Sequence, residues 1–315
     1  MKKPLIILTG PTAAGKTDLS VLLAKKLDGA IISADSMQVY KYMDIGSAKI
    51  KTEEMQGVDH YLIDEFMPDE EFNVVKFKQY AKQYIEKIYQ DGKIPIIVGG
   101  TGFYIQAVLY DINFTEEEKD DGYREQLEEI AKTQGGHILH EMLKQVDEEA
   151  AAQIHENNKK RIIRALEYNH QTGEKISAHN EKERQKTSPY NFAYFVLNDD
   201  RNLLYEKINR RVDQMLEQGL VQEVEQLKNM GYHRDMVSMQ GLGYKEILDY
   251  LDGTTTLEEA VYLLKRDTRH FAKRQITWFK REKDVLWINK PDFHYNNESI
   301  ITFMIQKIGE RLRNE

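Results

Sequence analysis

Eight residues near the amino terminus constrain this chain more than any others. Gly10-Pro11-Thr12-Ala13-Ala14-Gly15-Lys16-Thr17 matches the pattern G-x-x-x-x-G-K-[ST] at every defined position. It follows the apolar run Leu5-Ile6-Ile7-Leu8 and precedes a helical pattern over Asp18–Leu27. A strand, a glycine-rich turn and a helix amino terminus together make an anion cradle, because glycines let backbone amides turn inward and the helix end adds positive potential. Lys16 would neutralise phosphate oxygens, and the Thr17 hydroxyl would hold Mg²⁺. A phosphate-bearing ligand is therefore expected. Loops of this kind most often serve nucleoside triphosphates, which makes kinase or hydrolase chemistry the default.

The rest of the first hundred residues fits a parallel α/β domain. Ala30–Ala34 reads as a second strand, His60–Ile63 as a third, Val74–Tyr89 as a helix and Ile94–Val98 as another strand. Alternation of this kind builds βαβ units whose sites lie at the carboxyl ends of strands. Residues 114–188 are charged and helical in spacing, and strand character returns only at Asn191–Leu197. The expected organisation is a P-loop-like parallel sheet flanked by helices, formed by residues 1–113 and 189–315, with an all-helical insertion over 114–188. Helices are expected at Arg201–Gln218, Val221–Met230 and Leu257–Lys280, and a late strand at Val285–Ile288.

Composition excludes several chemistries. The 315-residue chain has no cysteine, so thiol nucleophiles, disulfides, iron–sulfur clusters and cysteine-bound zinc are ruled out. Its apolar runs are strand-sized, and Met1-Lys2-Lys3-Pro4 leads into one of them without a leader-like cleavage site, so a cytoplasmic, membrane-free protein is expected. The net charge of −8 is unevenly spread. Asp111–Ile130 holds nine acids against two bases, whereas Lys265–Lys283 holds eight bases against two acids. One basic surface on an acidic body is the implied arrangement. His137 and His140 have ligand-like spacing but no third partner.

A second sequence, Asp35-Ser36-Met37-Gln38-Val39-Tyr40, follows the second strand and places Asp35 at the same sheet edge as the cradle. Asp-Ser also suits a simple turn or helix cap. Further along stand Gly99-Gly100-Thr101-Gly102-Phe103-Tyr104, Arg161–Glu167, Met239–Glu246 and Ala272–Trp278. In this order, over most of the chain, these stretches resemble the tRNA dimethylallyltransferases, in their bacterial form without a zinc-finger extension. One departure is Asn157-Asn158-Lys159-Lys160-Arg161, where the family often has Asn-Asp-x-x-Arg.

The resemblance implies transfer of a dimethylallyl group from dimethylallyl diphosphate to N6 of an adenosine beside the anticodon of tRNA, with release of diphosphate. It implies that Gly10–Thr17 holds the donor diphosphate, with Mg²⁺ at Thr17. Asp35 would be the general base, with Thr101 and Lys16 completing the catalytic set. The anticodon stem-loop would be bound by Asp35, Ser36, Met37, Gln38, Thr101, Arg124, Lys160, Arg161, Arg164, Arg274, Gln275, Trp278 and Arg281. Base flipping and aromatic contact suit an unpaired loop. Local readings stand beside these: Arg124 can pair with Glu128 on a helix, and Trp278 can pack in a core. A monomer is expected. The alternatives are a P-loop small-molecule kinase, an RNA-stimulated ATPase and an adenylate isopentenyltransferase acting on free nucleotides.

Overall fold

A computed structural model describes residues 2–114 and 122–313. The centre of the acidic run, from Glu116 to Asp121, lies outside the described residues. In chain order the elements are β1 (Pro4–Thr9), α1 (Lys16–Leu27), β2 (Gly29–Ala34), α2 (Thr52–Met55), β3 (His60–Tyr61), α3 (Val74–Gln90), β4 (Ile94–Gly99) and α4 (Gly102–Leu109). Then come α5 (Tyr123–Thr133), α6 (Gly136–Val146), α7 (Glu148–Gln153), α8 (Lys159–Thr172) and α9 (Ile176–Arg184). The last part holds β5 (Asn191–Asn198), α10 (Arg201–Glu217), α11 (Leu220–Asn229), α12 (Tyr244–Leu251), α13 (Leu257–Phe279), β6 (Val285–Asn289) and α14 (Asn297–Arg313). The chain divides into two compact units, Met1–Leu109 with Pro189–Glu315, and Tyr110–Ser188.

The first unit is built on a six-stranded sheet of order β3-β2-β4-β1-β5-β6, with every pairing parallel. Leu5, Ile6, Ile7 and Leu8 of β1 are all fully buried. Alternation is absent there because helices cover both faces of a parallel sheet. Leu19 and Leu23 of α1 join Ile300, Ile301 and Met304 of α14 in one core beneath β1 and β5. Asn73 starts α3 by accepting hydrogen bonds from the Val75 and Lys76 amides at 3.0 and 3.1 Å. That helix then buries Phe77, Ala81, Ile85 and Ile88, a three-to-four residue spacing that presents one face to the sheet.

Register fixes where the loops meet. Thr9 pairs with Gly99, and Gly99 also pairs with Ala34. The segments after β1, β2 and β4 therefore leave the sheet side by side, although β1 and β2 are separated by β4. That crossover creates the crevice in which doubly wound sheets bind ligands.

The second unit packs α5–α9 around Leu127, Leu139, Leu143, Ile162 and Leu166. Asp147 staples it from within, accepting from the Ala150 amide (3.0 Å), the Ser177 amide (2.9 Å) and the Ser177 hydroxyl (2.7 Å). His140 Nε2 lies 2.9 Å from the Ala151 carbonyl, and His137 lies beside Glu156 at 3.5 Å. Among the described residues no cluster of His, Asp or Glu is suited to a metal, and no helix is long and apolar enough to cross a membrane.

Gly10 shows how tightly the sheet edge is built. Its φ is +148°, and an added Cβ would stand 2.7 Å from the Leu197 carbonyl oxygen of β5. Backbone cannot retreat as a flexible side chain can, so Gly10→Ala is expected to cost about 3 kcal/mol. Denaturant unfolding of the variant against wild type measures this, and an unchanged midpoint would contradict the packing described.

Candidate active site

The phosphate loop holds amides that the protein itself does not satisfy. Among the described residues the Ala13, Gly15, Lys16 and Thr17 amides have no acceptor, as expected at the first turn of α1. Two others are occupied: the Ala14 amide donates to the Pro11 carbonyl at 3.3 Å, and the Thr12 amide donates to Gln275 Oε1 at 2.9 Å. The cradle is therefore narrower than the full Gly10–Gly15 run. Lys16 lies across it, with Nζ donating to the Gly10 and Pro11 carbonyls at 3.0 and 2.9 Å.

Electrostatics gather around the same point. Burial pulls the Lys16 pKa down to about 8, the nearby Arg211 guanidinium lowers it further, and Asp35 opposes both. Burial likewise lowers the pKa of Arg211, with Asp35 again opposing. Lys16 and Arg211 thus share the field of one carboxylate without reaching ion-pair distance of it. Two cations compressed together are costly in an empty site and favourable around a polyanion.

Asp35 leaves β2 in the turn its sequence suggests. Its Oδ1 accepts from the Met37 amide at 2.9 Å and the Gln38 amide at 3.4 Å. Among the described residues Oδ2 has no hydrogen-bond partner, so the turn occupies only one oxygen of the carboxylate. Thr101 is drawn alongside, its amide donating to the Ala34 carbonyl at 3.2 Å. Behind Asp35 the Tyr104 ring stacks on Phe77 with centroids 4.5 Å apart. Burial, Tyr40 and Asp35 all keep the Tyr104 phenol protonated.

Several residues expected to face tRNA direct their side chains into the protein. Gln275 is buried, bridging the Thr12 amide and the Gly100 carbonyl, to which its Nε2 donates at 3.0 Å. It ties the loop after β1 to the loop after β4. Trp278 lies so close to Gly102 that a Cβ there would meet its ring at 2.2 Å, and Phe103 meets it edge-on at 6.2 Å. Gln38 accepts from the Ser33 hydroxyl at 3.3 Å and donates to the Ser47 and Ala48 carbonyls at 3.4 and 3.2 Å. Met37 packs on Gly241. Ser36 is half-buried, whereas Arg274 and Arg281 are exposed, the Arg274 guanidinium standing 5.7 Å from the Phe271 ring centre.

Arg124, Lys160, Arg161 and Arg164 belong to the second unit. Arg124 pairs there with Glu128 at 3.4 Å and, through Nη1, with both Glu167 oxygens at 3.2 Å. Lys160 and Arg161 are exposed and Arg164 is half-buried.

Two residues of the site escaped sequence reasoning. Arg211 was hidden in a charged helix; its signal is that it shares the stripe of Leu204, Ile208 and Met215, where an apolar residue belongs. Glu223 clamps the segment after Gln38, its Oε2 accepting from the Asp44 and Ile45 amides at 3.0 and 2.7 Å. Its Oε1 accepts from the Gly46 amide at 3.0 Å and the Tyr244 hydroxyl at 2.8 Å. No local pattern announces that contact.

A parallel sheet with helices on both faces and an anion loop after its central strand defines a P-loop-like α/β protein. The model of the IPP transferase family matches residues 38–282, a span that begins after both the loop and Asp35. The chain belongs to that family. It is 64% identical over 309 residues to a tRNA dimethylallyltransferase of Lachnoclostridium phytofermentans, covering 98% of each chain. It is 52% identical to one from Acetivibrio thermocellus, covering 94% of each. Among solved structures it resembles the tRNA isopentenylpyrophosphate transferase of Bacillus halodurans (TM-score 0.74, 46% identity, 99% of both chains). It also resembles a eukaryotic dimethylallyltransferase acting on tRNA (TM-score 0.76, 29% identity, 91% of this chain and 74% of the other).

A lysine whose pKa is about 8 in the free protein must be protonated to hold a diphosphate. If the loop takes a diphosphate, the anion should raise that pKa, so binding should take up a proton and affinity should fall as pH rises above about 8, approaching tenfold per pH unit. Calorimetric titration of dimethylallyl diphosphate at alkaline pH, in buffers of different ionisation heat, should register this uptake. Its absence would remove Lys16 from the cradle.

Proposed function

We propose that the chain transfers the dimethylallyl group of dimethylallyl diphosphate to the exocyclic N6 of an adenosine next to the anticodon of tRNA, releasing diphosphate. The observation that carries this reading is an amide cradle whose Lys16 lies in the field of Asp35, a carboxylate with one oxygen that accepts no hydrogen bond among the described residues. Cleavage of the allylic carbon–oxygen bond leaves its electron pair on diphosphate. Free amides of the loop, Lys16 and Arg211 meet that charge where it develops. The N6 amine is a weak nucleophile because its lone pair is delocalised into the ring. As the nitrogen–carbon bond forms, Asp35 Oδ2 takes the proton that N6 must lose. Thr101, beside Asp35 at the end of β4, contacts the diphosphate.

Thr17 is exposed at the mouth of the loop, and among the described residues no acidic cluster could hold a metal alone. The Thr17 hydroxyl would hold a Mg²⁺ ion that arrives with the diphosphate. Such an ion supplies further charge neutralisation to the leaving group. The anticodon stem-loop is held by exposed cations of the first unit, Arg274 and Arg281. Gln275, Trp278, Met37 and Gln38 support that surface from below. The protein acts as a monomer in the cytoplasm.

Incubation with labelled dimethylallyl diphosphate and unmodified tRNA should label the RNA, whereas AMP in place of tRNA should not. Phosphate transfer from ATP without tRNA, or no labelling of competent tRNA, would overturn the reading. Asp35→Asn keeps an oxygen for the Met37 amide but loses basicity. Turnover should fall about 10²–10⁴-fold, with donor affinity nearly unchanged. Turnover near wild type would remove Asp35 as the base.

A further inference from the structure

The outer side of the phosphate loop carries a second lysine. Lys290 opens the short 3₁₀ turn Lys290–Phe293 that follows β6, and its ammonium donates to the Ala14 carbonyl at 3.3 Å. A Cβ built on Gly15 would stand 3.0 Å from the same nitrogen. The residue is half-buried, and no acid among the described residues lies within ion-pair distance of it. Burial and Lys207 lower its pKa, while Asp199 and Asp18 act the other way.

The buried acid that acts on it, Asp199, is already engaged. Asp199 holds Lys207 at 2.5 Å and also accepts from the Tyr295 hydroxyl at 3.0 Å and the Asp200 amide at 2.9 Å. Lys290 is therefore a partly desolvated cation pressed on one neutral carbonyl, beside another lysine. Such a group adds little to stability and a good deal to the local positive potential.

The carbonyl it grips is the informative one. In a trans peptide the C=O and N–H point in opposite directions. The Ala14 oxygen belongs to the peptide whose N–H is that of Gly15, one of the amides left without an acceptor. A cation holding the oxygen outward aims that N–H inward and polarises it, since linked hydrogen bonds reinforce one another.

We propose that Lys290 is a positioning residue of the diphosphate cradle, gripping the Ala14 carbonyl from outside so that the Gly15 N–H is aimed and polarised toward the leaving group. This rests on the reading of Gly10–Thr17 as the diphosphate site. Lys290 touches no reacting atom; it acts through the peptide between Ala14 and Gly15.

The test compares Lys290→Met, Lys290→Gln and Lys290→Arg in the full chain. It measures the Kd for inorganic diphosphate, the KM and kcat for dimethylallyl diphosphate at saturating tRNA, the Kd for tRNA, and the melting temperature. The methionine variant should weaken diphosphate binding about tenfold and raise the donor KM in parallel, with tRNA affinity unchanged. Glutamine, a neutral donor, should fall between methionine and arginine, and arginine should stay closest to wild type. A purely structural role would instead lower the melting temperature and tRNA binding together, without ranking the variants by charge. Should the methionine variant fail to fold, the glutamine–arginine pair decides alone. Equal diphosphate binding by that pair, or by wild type and the methionine variant, overturns the inference. If wild type itself binds no diphosphate, the cradle reading fails first and the inference falls with it.

Discussion

Backbone amides at the start of α1 that find no acceptor among the described residues are the constraint around which this site is arranged. Amides of this kind at a helix amino terminus favour an anion as their acceptor. The surrounding parts keep that condition in place. Gly10 presses against β5 where a side chain could not fit, so the loop starts in one position. Lys16 lies folded on the loop's own carbonyls, and Arg211 stands nearby without an ion-pair partner among the described residues. A poised electrostatic arrangement of this sort does its work without reorganising as charge develops.

The helix α13 has two functions that its composition blends together. Thr256 caps its start, and the buried positions Ala260, Leu264, Ala272, Gln275 and Phe279 bind it to the unit. On that inner side Gln275 joins two loops of the sheet edge, and Trp278 lies on Gly102. Exposed Lys273, Arg274 and Arg281 remain available on the outer side. A cationic outer face and a brace between two loops of the sheet edge are thereby carried by one helix and the residues that follow it. The glycines at 100 and 102 are required for the approach of Gln275 and Trp278 rather than for turning.

The segment from Asp35 to Lys49 is held in a similar way. Met37 seats on Gly241, Gln38 spans to the Ser47 and Ala48 carbonyls, and Glu223 gathers three consecutive amides. Lys49 is buried between Asp44 and Asp64 and also donates to the Tyr40 carbonyl at 2.7 Å. Motifs that resemble a base-reading surface in sequence thus serve in part as the frame that keeps Asp35 in place. Polar side chains conserve geometry here by satisfying backbone groups that would otherwise be buried unpaired.

Local chemistry was enough to locate the strands at Leu5–Leu8 and Ile94–Val98, the cradle between Gly10 and Thr17, and the Asp35 turn, because each depends on neighbours within a few residues. It was also enough for the helical character of the stretch before β5, where apolar spacing persists between charges. The helices α12 and α14 go unread in the sequence even though Tyr244, Ile247 and Leu248 in one, and Ile301, Met304 and Ile308 in the other, already stand at helical spacing. Sequence could not say that Gln275 turns inward, that Arg211 enters the cradle's field, or that Lys290 reaches Ala14. The reason is physical: a strand, a cap or a phosphate loop is specified by torsions and spacing along the chain. Which polar atom ends against which backbone group is settled only when the register of β1, β2, β4 and β5 brings remote segments together.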